Sequence, residues 1–222
     1  MTSVDREYIE TKEIKKGLLE KNSTFSGFYD AFFNEFKVKP LNIYVDILEH
    51  KNQGGLTAGR VIGTAPRLHI IVDSLKDSGL WEKYLDGSLD EKASELFIEQ
   101  CPEYNSYDNS IFTIFSSFSG VACEEAFHKV SELQIQVSIR NMVDNLWCIK
   151  LFNRTIIIFC YEEEELELAK QKESEIRELY FNSIKIYDEF NYLKNDEFIY
   201  VKFDSKLNFD TNYGGSWRKY FD

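Results

Sequence analysis

The 222-residue chain carries 26 Lys and Arg against 38 Asp and Glu, which gives a formal net charge of −12. This surplus of acids disfavours nucleic-acid phosphates and anionic membrane surfaces as partners, because like charges repel. Hydrophobic residues make up 43% of the chain and aromatic residues 15%, enough apolar surface to exclude a disordered chain. At this length we expect a single domain over residues 1–222, with a helical segment at 1–38 packed on it.

The cysteine pattern and the N-terminal residues indicate the compartment. The four cysteines contain no CxxC pair, so the sequence predicts neither a zinc site nor a redox dithiol. Free, buried thiols are expected in a chain this rich in core residues. The first residues contain no apolar signal segment, and the longest apolar run, 156–161, is too short to cross a bilayer. We therefore expect a cytoplasmic protein without a cofactor.

The first part of the chain alternates between helix and strand patterns. Residues 5–21 are charged and helix-prone, and aromatic residues at steps of three and one over 25–36 predict an amphipathic helix with an apolar face. A period-two pattern predicts a strand at 41–47, and 67–72 predicts a second strand. These two strands can pair as a hairpin across the glycine-rich residues 52–63.

The middle of the chain continues with shorter elements. Residues 74–86 predict a short helix, and Ser88 with Glu91 has the spacing of a capping box at the start of the next helix. A strand is predicted at 111–118 and a helix at 123–133. Strict alternation of Ile135, Val137 and Ile139 with polar residues predicts a further strand at 134–139.

The last third contains the strongest hairpin signal. Residues 146–151 and 155–161 flank Asn153-Arg154, and the isoleucine-rich second strand is typical of a central strand buried on both faces. A helix is predicted over 162–187 and a strand over 198–203. Together these patterns predict an α+β fold with a mostly antiparallel sheet of about five to seven strands and four to five packed helices. No internal repeat is visible.

Residue patterns that could support catalysis fail their structural requirements. The segment 54–61 has the glycine spacing of a phosphate loop, but Arg60 and Val61 replace the lysine and the Ser/Thr metal ligand. Cys123 and His128 are five positions apart on one predicted helix and point to different sides. The sequence therefore favours a binding role over an enzymatic one.

The acidic charge favours a basic protein as the partner, which this chain would neutralise or tether as immunity proteins do with basic toxins. Candidate contacts are the acid run in the first turn of the predicted 162–187 helix and two aromatic residues of the C-terminal segment. They are Glu162, Glu163, Glu164, Glu165, Tyr213 and Trp217. The acid run can equally serve to complement the positive end of its helix. The C-terminal aromatics can equally anchor that segment over the sheet.

Two alternatives belong to other classes of function. A metal-dependent hydrolase or nuclease would use a carboxylate site on the first strand, with Asp46, Glu49 and Lys51. A structural or regulatory subunit would use the aromatic face of the 25–36 helix. The oligomeric state is left open, and a homo-oligomer is compatible with the sequence.

Overall fold

The computed structural model describes residues 1–51, 61–104 and 111–221, and the side chains of 49–51 and 61–64 are outside this description. The chain divides into two compact units, Met1–Val121 and Ala122–Asp222. Within the described residues it forms ten α-helices and two three-stranded sheets. The expectation of a single domain over 1–222 stays a prediction, and each unit is described by itself.

The first unit is built on a three-stranded sheet with helices before and after its hairpin. Its elements are α1 (Arg6–Lys15), α2 (Ser26–Phe36), β1 (Asn42–Lys51), β2 (Val61–Val72), α3 (Trp81–Leu85), α4 (Ser88–Gln100) and β3 (Phe112–Ser117). Strand β1 pairs antiparallel with β2, so the predicted hairpin is confirmed. Strand β3 pairs parallel with β2, because α3 and α4 return the chain to the start of the sheet.

The aromatic helix supplies the core of this unit. Phe28, Phe32 and Phe36 follow one another at steps of four on α2 and are buried, which places all three on one helical face. They pack in one cluster with residues of the sheet and of α4. The Phe28 ring meets Phe97 edge to face, with 5.3 Å between ring centroids. The predicted amphipathic helix is confirmed, and its aromatic face is occupied inside the unit.

The chain continues with a second set of elements around a second sheet. They are α5 (Phe118–His128), α6 (Glu132–Ile139), β4 (Leu146–Phe152), β5 (Thr155–Cys160), α7 (Leu166–Lys170), α8 (Glu173–Lys185), β6 (Tyr200–Ser205), α9 (Lys206–Tyr213) and α10 (Trp217–Phe221). Strand β5 pairs antiparallel with β4 and parallel with β6. Each sheet is therefore an antiparallel hairpin plus a third strand that is parallel to the second, a repetition that the amino-acid sequence does not reveal.

The predicted 146–151/155–161 hairpin and its buried central strand are confirmed. Residues 156 to 160 are all buried, and β5 lies between β4 and β6. One face of the sheet packs against α8, whose Ile176, Tyr180 and Ile184 are buried at steps of four. The turn residue Asn153 has a φ of +52°, a left-handed conformation that Asn tolerates better than most residues. The Tyr180 hydroxyl donates to the Asn153 carbonyl at 3.1 Å and fastens this turn to α8.

The prediction of one mostly antiparallel sheet of five to seven strands is wrong. Six described strands are split between two sheets of three, and each sheet contains a parallel pair. Where four to five helices were expected, the described residues form ten, several of them one or two turns long. Short helices lack the repeated apolar stripe by which a longer helix is recognised.

The strand predicted at 134–139 is also wrong, because these residues form α6. Ile135 and Ile139 are buried, whereas Val137 is 57% exposed. Two apolar residues four apart lie on one face of a helix as well as on one face of a strand, so a short pattern cannot separate the two periods. Ile135 and Ile139 both pack in the core of the second unit, and these contacts stabilise the helical conformation.

The capping box lies elsewhere than predicted. Gly87, with a φ of +79°, is the N-cap of α4, so Ser88 is already its first helical residue. The reciprocal hydrogen bonds of a capping box are formed instead by Glu162 and Glu165, which flank the 3-10 turn before α7. The predicted 162–187 helix is divided into α7 and α8.

Candidate partner-binding site

An open cleft lies beside α4 and the edge strand β3 in the first unit. Its volume is about 710 Å³. Its described lining contains four carboxylates and no Lys, Arg or His. We call it the acidic cleft; it is lined by Asp86, Gly87, Asp90, Glu91, Ser94, Glu95, Ile98, Ile111, Phe112 and Thr113.

The periodicity of α4 places the acids at this cleft. Leu89, Ala93 and Phe97 recur at steps of four and are buried in the core. The residues that follow each of them are turned about 100° around the helix, and they include Asp90 and Ser94 of the cleft lining. Burial of the Leu89–Phe97 face therefore directs the adjacent polar face of the same helix toward the cleft.

Asp90 is the most unusual group of the acidic cleft. Its Oδ1 atom is buried and has no hydrogen-bond partner among the described residues. Burial raises the pKa of Asp90, because loss of water disfavours the charged carboxylate. A cation placed in the cleft would relieve this cost by pairing with the carboxylate.

Other polar groups of the acidic cleft have hydrogen-bond partners within the first unit. The Ser94 hydroxyl lies 2.7 Å from the Thr113 hydroxyl and 2.8 Å from the Asp90 carbonyl oxygen, which connects α4 to β3. The Ser88 amide donates to the Asp86 carboxylate at 2.9 Å and lowers its pKa, so Asp86 stays ionised. Phe112 is 55% exposed and adds an apolar surface beside the acids.

The predicted acid run lies in the second unit, before α7. The side chains of Glu162 and Glu165 form its capping box, and the Glu162 amide donates to Glu165 at 3.2 Å. Asn145 also donates a hydrogen bond to the Glu165 carboxylate. Glu162, Glu163 and Glu164 are exposed. Two of the four acids thus stabilise the start of a helix, and partner binding by this run stays a prediction.

The C-terminal segment that contains the candidate contacts Tyr213 and Trp217 forms two short helices. Tyr213 ends α9 and Trp217 begins α10, and both are half-buried. The Trp217 ring stacks on Trp147 at 5.7 Å and lies 4.2 Å from Phe209, between ring centroids. These helices cover the face of the second sheet that does not contact α8, so the anchoring role considered for these aromatics is present. Binding of a partner by Tyr213 and Trp217 stays a prediction.

Of the three residues predicted for the alternative metal site on β1, only Asp46 has a described side chain. Arg67 donates to both carboxylate oxygens of Asp46, at 2.8 and 2.5 Å, a bidentate pair that occupies the carboxylate. The side chains of Glu49 and Lys51 lie outside the described part of the chain, as do residues 52–60 of the predicted glycine-rich loop. No group of three or more His, Cys, Asp or Glu among the described residues has a metal-binding arrangement.

Sequence reasoning missed a buried polar cluster beneath α1. His69 is 4% exposed, and its Nε2 atom lies 2.8 Å from the Ser116 hydroxyl. Burial lowers the pKa of His69 to about 4, so the ring is neutral at pH 7. On the same sheet face the Tyr44 hydroxyl donates to Glu10 of α1 at 2.8 Å. The polar alternation of β1 is the sequence signal for this cluster.

The cysteines are not activated nucleophiles. All four are free, and burial raises the pKa of each thiol to about 11. At neutral pH the reactive thiolate is therefore scarce. His128 is exposed, whereas Cys123 is half-buried on the same helix.

The chain is thus an α+β protein whose first unit has an open cleft lined by four described carboxylates. No family model matches the chain, and no curated protein or solved structure is similar to it beyond chance. Among the described residues, no helix combines the length and the apolar character that a membrane span requires.

Proposed function

We propose that this chain is a binding protein that captures a basic protein partner through its acidic cleft. The observation that carries the proposal is the buried Oδ1 of Asp90, which lacks a hydrogen-bond partner among the described residues, in a cleft whose described lining adds three more carboxylates and no cation. A Lys or Arg side chain of the partner would pair with Asp90. Such a pair gains most where the carboxylate is already partly removed from water.

Apolar residues beside the acids support a protein as the partner rather than a small inorganic cation. Ile98, Ile111 and the exposed Phe112 line the same cleft. Protein interfaces combine aromatic anchors with charged groups in this way. The partner segment therefore carries Lys or Arg next to an apolar residue. Neutralisation of a toxin, as in immunity proteins, is one role that this mode of binding would serve.

The net charge supports fast association. Each unit carries 19 acidic and 13 basic residues, so the whole molecule attracts a cationic partner at a distance. This attraction raises the association rate and weakens as salt is added. The acidic cleft then confers the specific contacts.

The test compares two variants that remove equal charge. The cleft variant combines Asp90→Asn, Glu91→Gln and Glu95→Gln, and the control combines Glu162→Gln and two neighbouring Glu→Gln changes at 163 and 164. Full-length chains are used as bait in lysate of the source cells, and each captured protein is purified and titrated by calorimetry. We expect a basic partner whose Kd rises at least about tenfold with the cleft variant and stays unchanged with the control.

The alternative outcomes are distinguishable. Equal loss of binding in both variants would mean that net charge alone drives capture, and loss in the control alone would move the interface to the acid run at 162–165. Either result would refute the proposed role of the acidic cleft.

The other functions considered from sequence have weaker support. On α2 and the turn before it, Phe25, Phe28, Phe32 and Phe36 are buried within the first unit, so these four rings are occupied by contacts inside the chain. A hydrolase or nuclease site at Asp46 stays a prediction, with its carboxylate paired to Arg67.

A further inference from the structure

A second cavity, distinct from the acidic cleft, lies between the start of α2 and the segment before β1. Its volume is about 310 Å³, at the lower end for small-molecule sites. Its lining contains two lysines, in a chain whose formal net charge is −12. We call it the lysine pocket; it is lined by Lys21, Asn22, Ser23, Ser26, Tyr29, Asp30, Phe33, Lys39 and Pro40.

Both lysine side chains are held over aromatic rings. The Lys21 ammonium donates to the Pro40 carbonyl at 2.6 Å and lies 4.8 Å from the centroid of the Tyr29 ring. The Lys39 ammonium lies 5.2 Å from the centroid of the Phe33 ring. These contacts fix the positions of the two charges before any ligand arrives, which lowers the entropy cost of binding.

Neither ammonium is neutralised by the described residues. No described carboxylate forms an ion pair with Lys21 or Lys39, although Asp30 lies in the lining of the same pocket. Burial and the nearby Lys39 charge lower the pKa of Lys21. A lowered pKa means that the protonated lysine is destabilised here, and an anion between the two ammonium groups would remove that destabilisation.

The other groups of the lysine pocket specify the kind of anion. The Ser23 and Ser26 hydroxyls can donate to several oxygens of one ligand, and two ammonium charges match the near-dianionic phosphate of a monoester at neutral pH. Tyr29 and Phe33 add flat apolar walls that suit a ring attached to the phosphate. Burial raises the pKa of Tyr29 to about 12, so its hydroxyl stays protonated and adds no negative charge.

We propose that the lysine pocket binds a small organic phosphate, with Lys21 and Lys39 on the phosphate and Tyr29 and Phe33 beside an attached ring. This binding site does not depend on the proposed capture of a basic protein, because the two sites share no described residue. It gives the chain an anionic ligand in addition to its cationic partner.

Calorimetry on the full chain tests the proposal, with phenyl phosphate as the probe in phosphate-free buffer at pH 7.5. We expect one-to-one binding with a Kd of about 1 mM or lower. Inorganic phosphate should bind more weakly because it lacks the ring, and neutral benzyl alcohol should not bind because it lacks the charge. Absence of phenyl phosphate binding, or equal binding of benzyl alcohol, would overturn the proposal.

Substitutions in the lysine pocket test whether phenyl phosphate binds there. Lys21→Gln and Lys39→Gln should each weaken phenyl phosphate roughly tenfold or more, while the exposed Lys76→Gln, with the same charge change, should leave it unaffected. Asp30→Asn should tighten binding because a like charge is removed from the lining. Lys21 donates a hydrogen bond to the Pro40 carbonyl, so Lys21→Gln also removes a contact within the fold. If Lys21→Gln does not fold, Lys39→Gln decides the test. Unchanged affinity in Lys39→Gln, or equal loss in Lys76→Gln, would refute the assignment.

Discussion

Replacement of Phe97 by Ala provides the sharpest test of the core beneath the acidic cleft. Phe97 is fully buried on α4. Its ring lies 5.3 Å from Phe28, 5.2 Å from Tyr104 and 6.0 Å from Phe25, between centroids. Truncation removes these contacts and leaves a cavity, for which core Phe→Ala changes cost about 3–5 kcal/mol. The three ring pairs favour the upper half of that range.

Urea unfolding followed by circular dichroism measures this loss. The matched control is Leu85→Ala on α3, because Leu85 is 65% exposed and its truncation should change the free energy of unfolding by about 0.5 kcal/mol or less. If Phe97→Ala costs no more than Leu85→Ala, the packing described for the first unit is incorrect.

Two further predictions concern His69 and Asn153. The pKa of His69 is about 4 in the folded chain, against its ordinary value of 6.5, so the unfolded chain binds the proton first and the free energy of unfolding falls as pH drops from about 6.5 to 4. His69→Gln should remove this part of the pH dependence, measured by urea unfolding at each pH. A variant whose pH profile is identical to that of the unsubstituted chain would contradict the burial of the ring. Asn153 has a φ of +52° in the β4–β5 turn. Asn153→Ala should destabilise the chain by about 1 kcal/mol, whereas Asn153→Gly should not, because glycine adopts the left-handed conformation without strain. Equal effects of both substitutions in thermal unfolding would argue against a left-handed turn.

Elements with long or redundant patterns could be predicted from the amino-acid sequence. The aromatic repeat from Phe25 to Phe36 predicts α2 and its buried face, because three helical turns repeat the same side. The β4–β5 hairpin is predicted by two apolar runs around Asn153, and the isoleucine run of β5 predicts a central strand. In these cases local periodicity and turn chemistry agree with the tertiary contacts.

The candidate sites could be predicted less well. Acid runs are visible in sequence, but 162–165 contributes two of its carboxylates to a capping box. The acidic cleft escapes sequence reasoning, because its acids are spread over the end of α3 and along α4 and form one lining only beside Thr113 of β3. The two lysines of the lysine pocket are 18 positions apart and meet through the path of the chain around α2.

Composition and local periodicity were thus sufficient for the α+β class, the acidic surface, the aromatic core helix and the strongest hairpin. Only the tertiary structure decided that the six described strands form two sheets, that β3 and β6 pair in parallel, and that Ile135 and Ile139 share a helical face. The physical reason is that a local pattern records which side of a segment is apolar. Contacts between residues distant in the chain determine which segment covers that side. They also determine which charged groups have a partner.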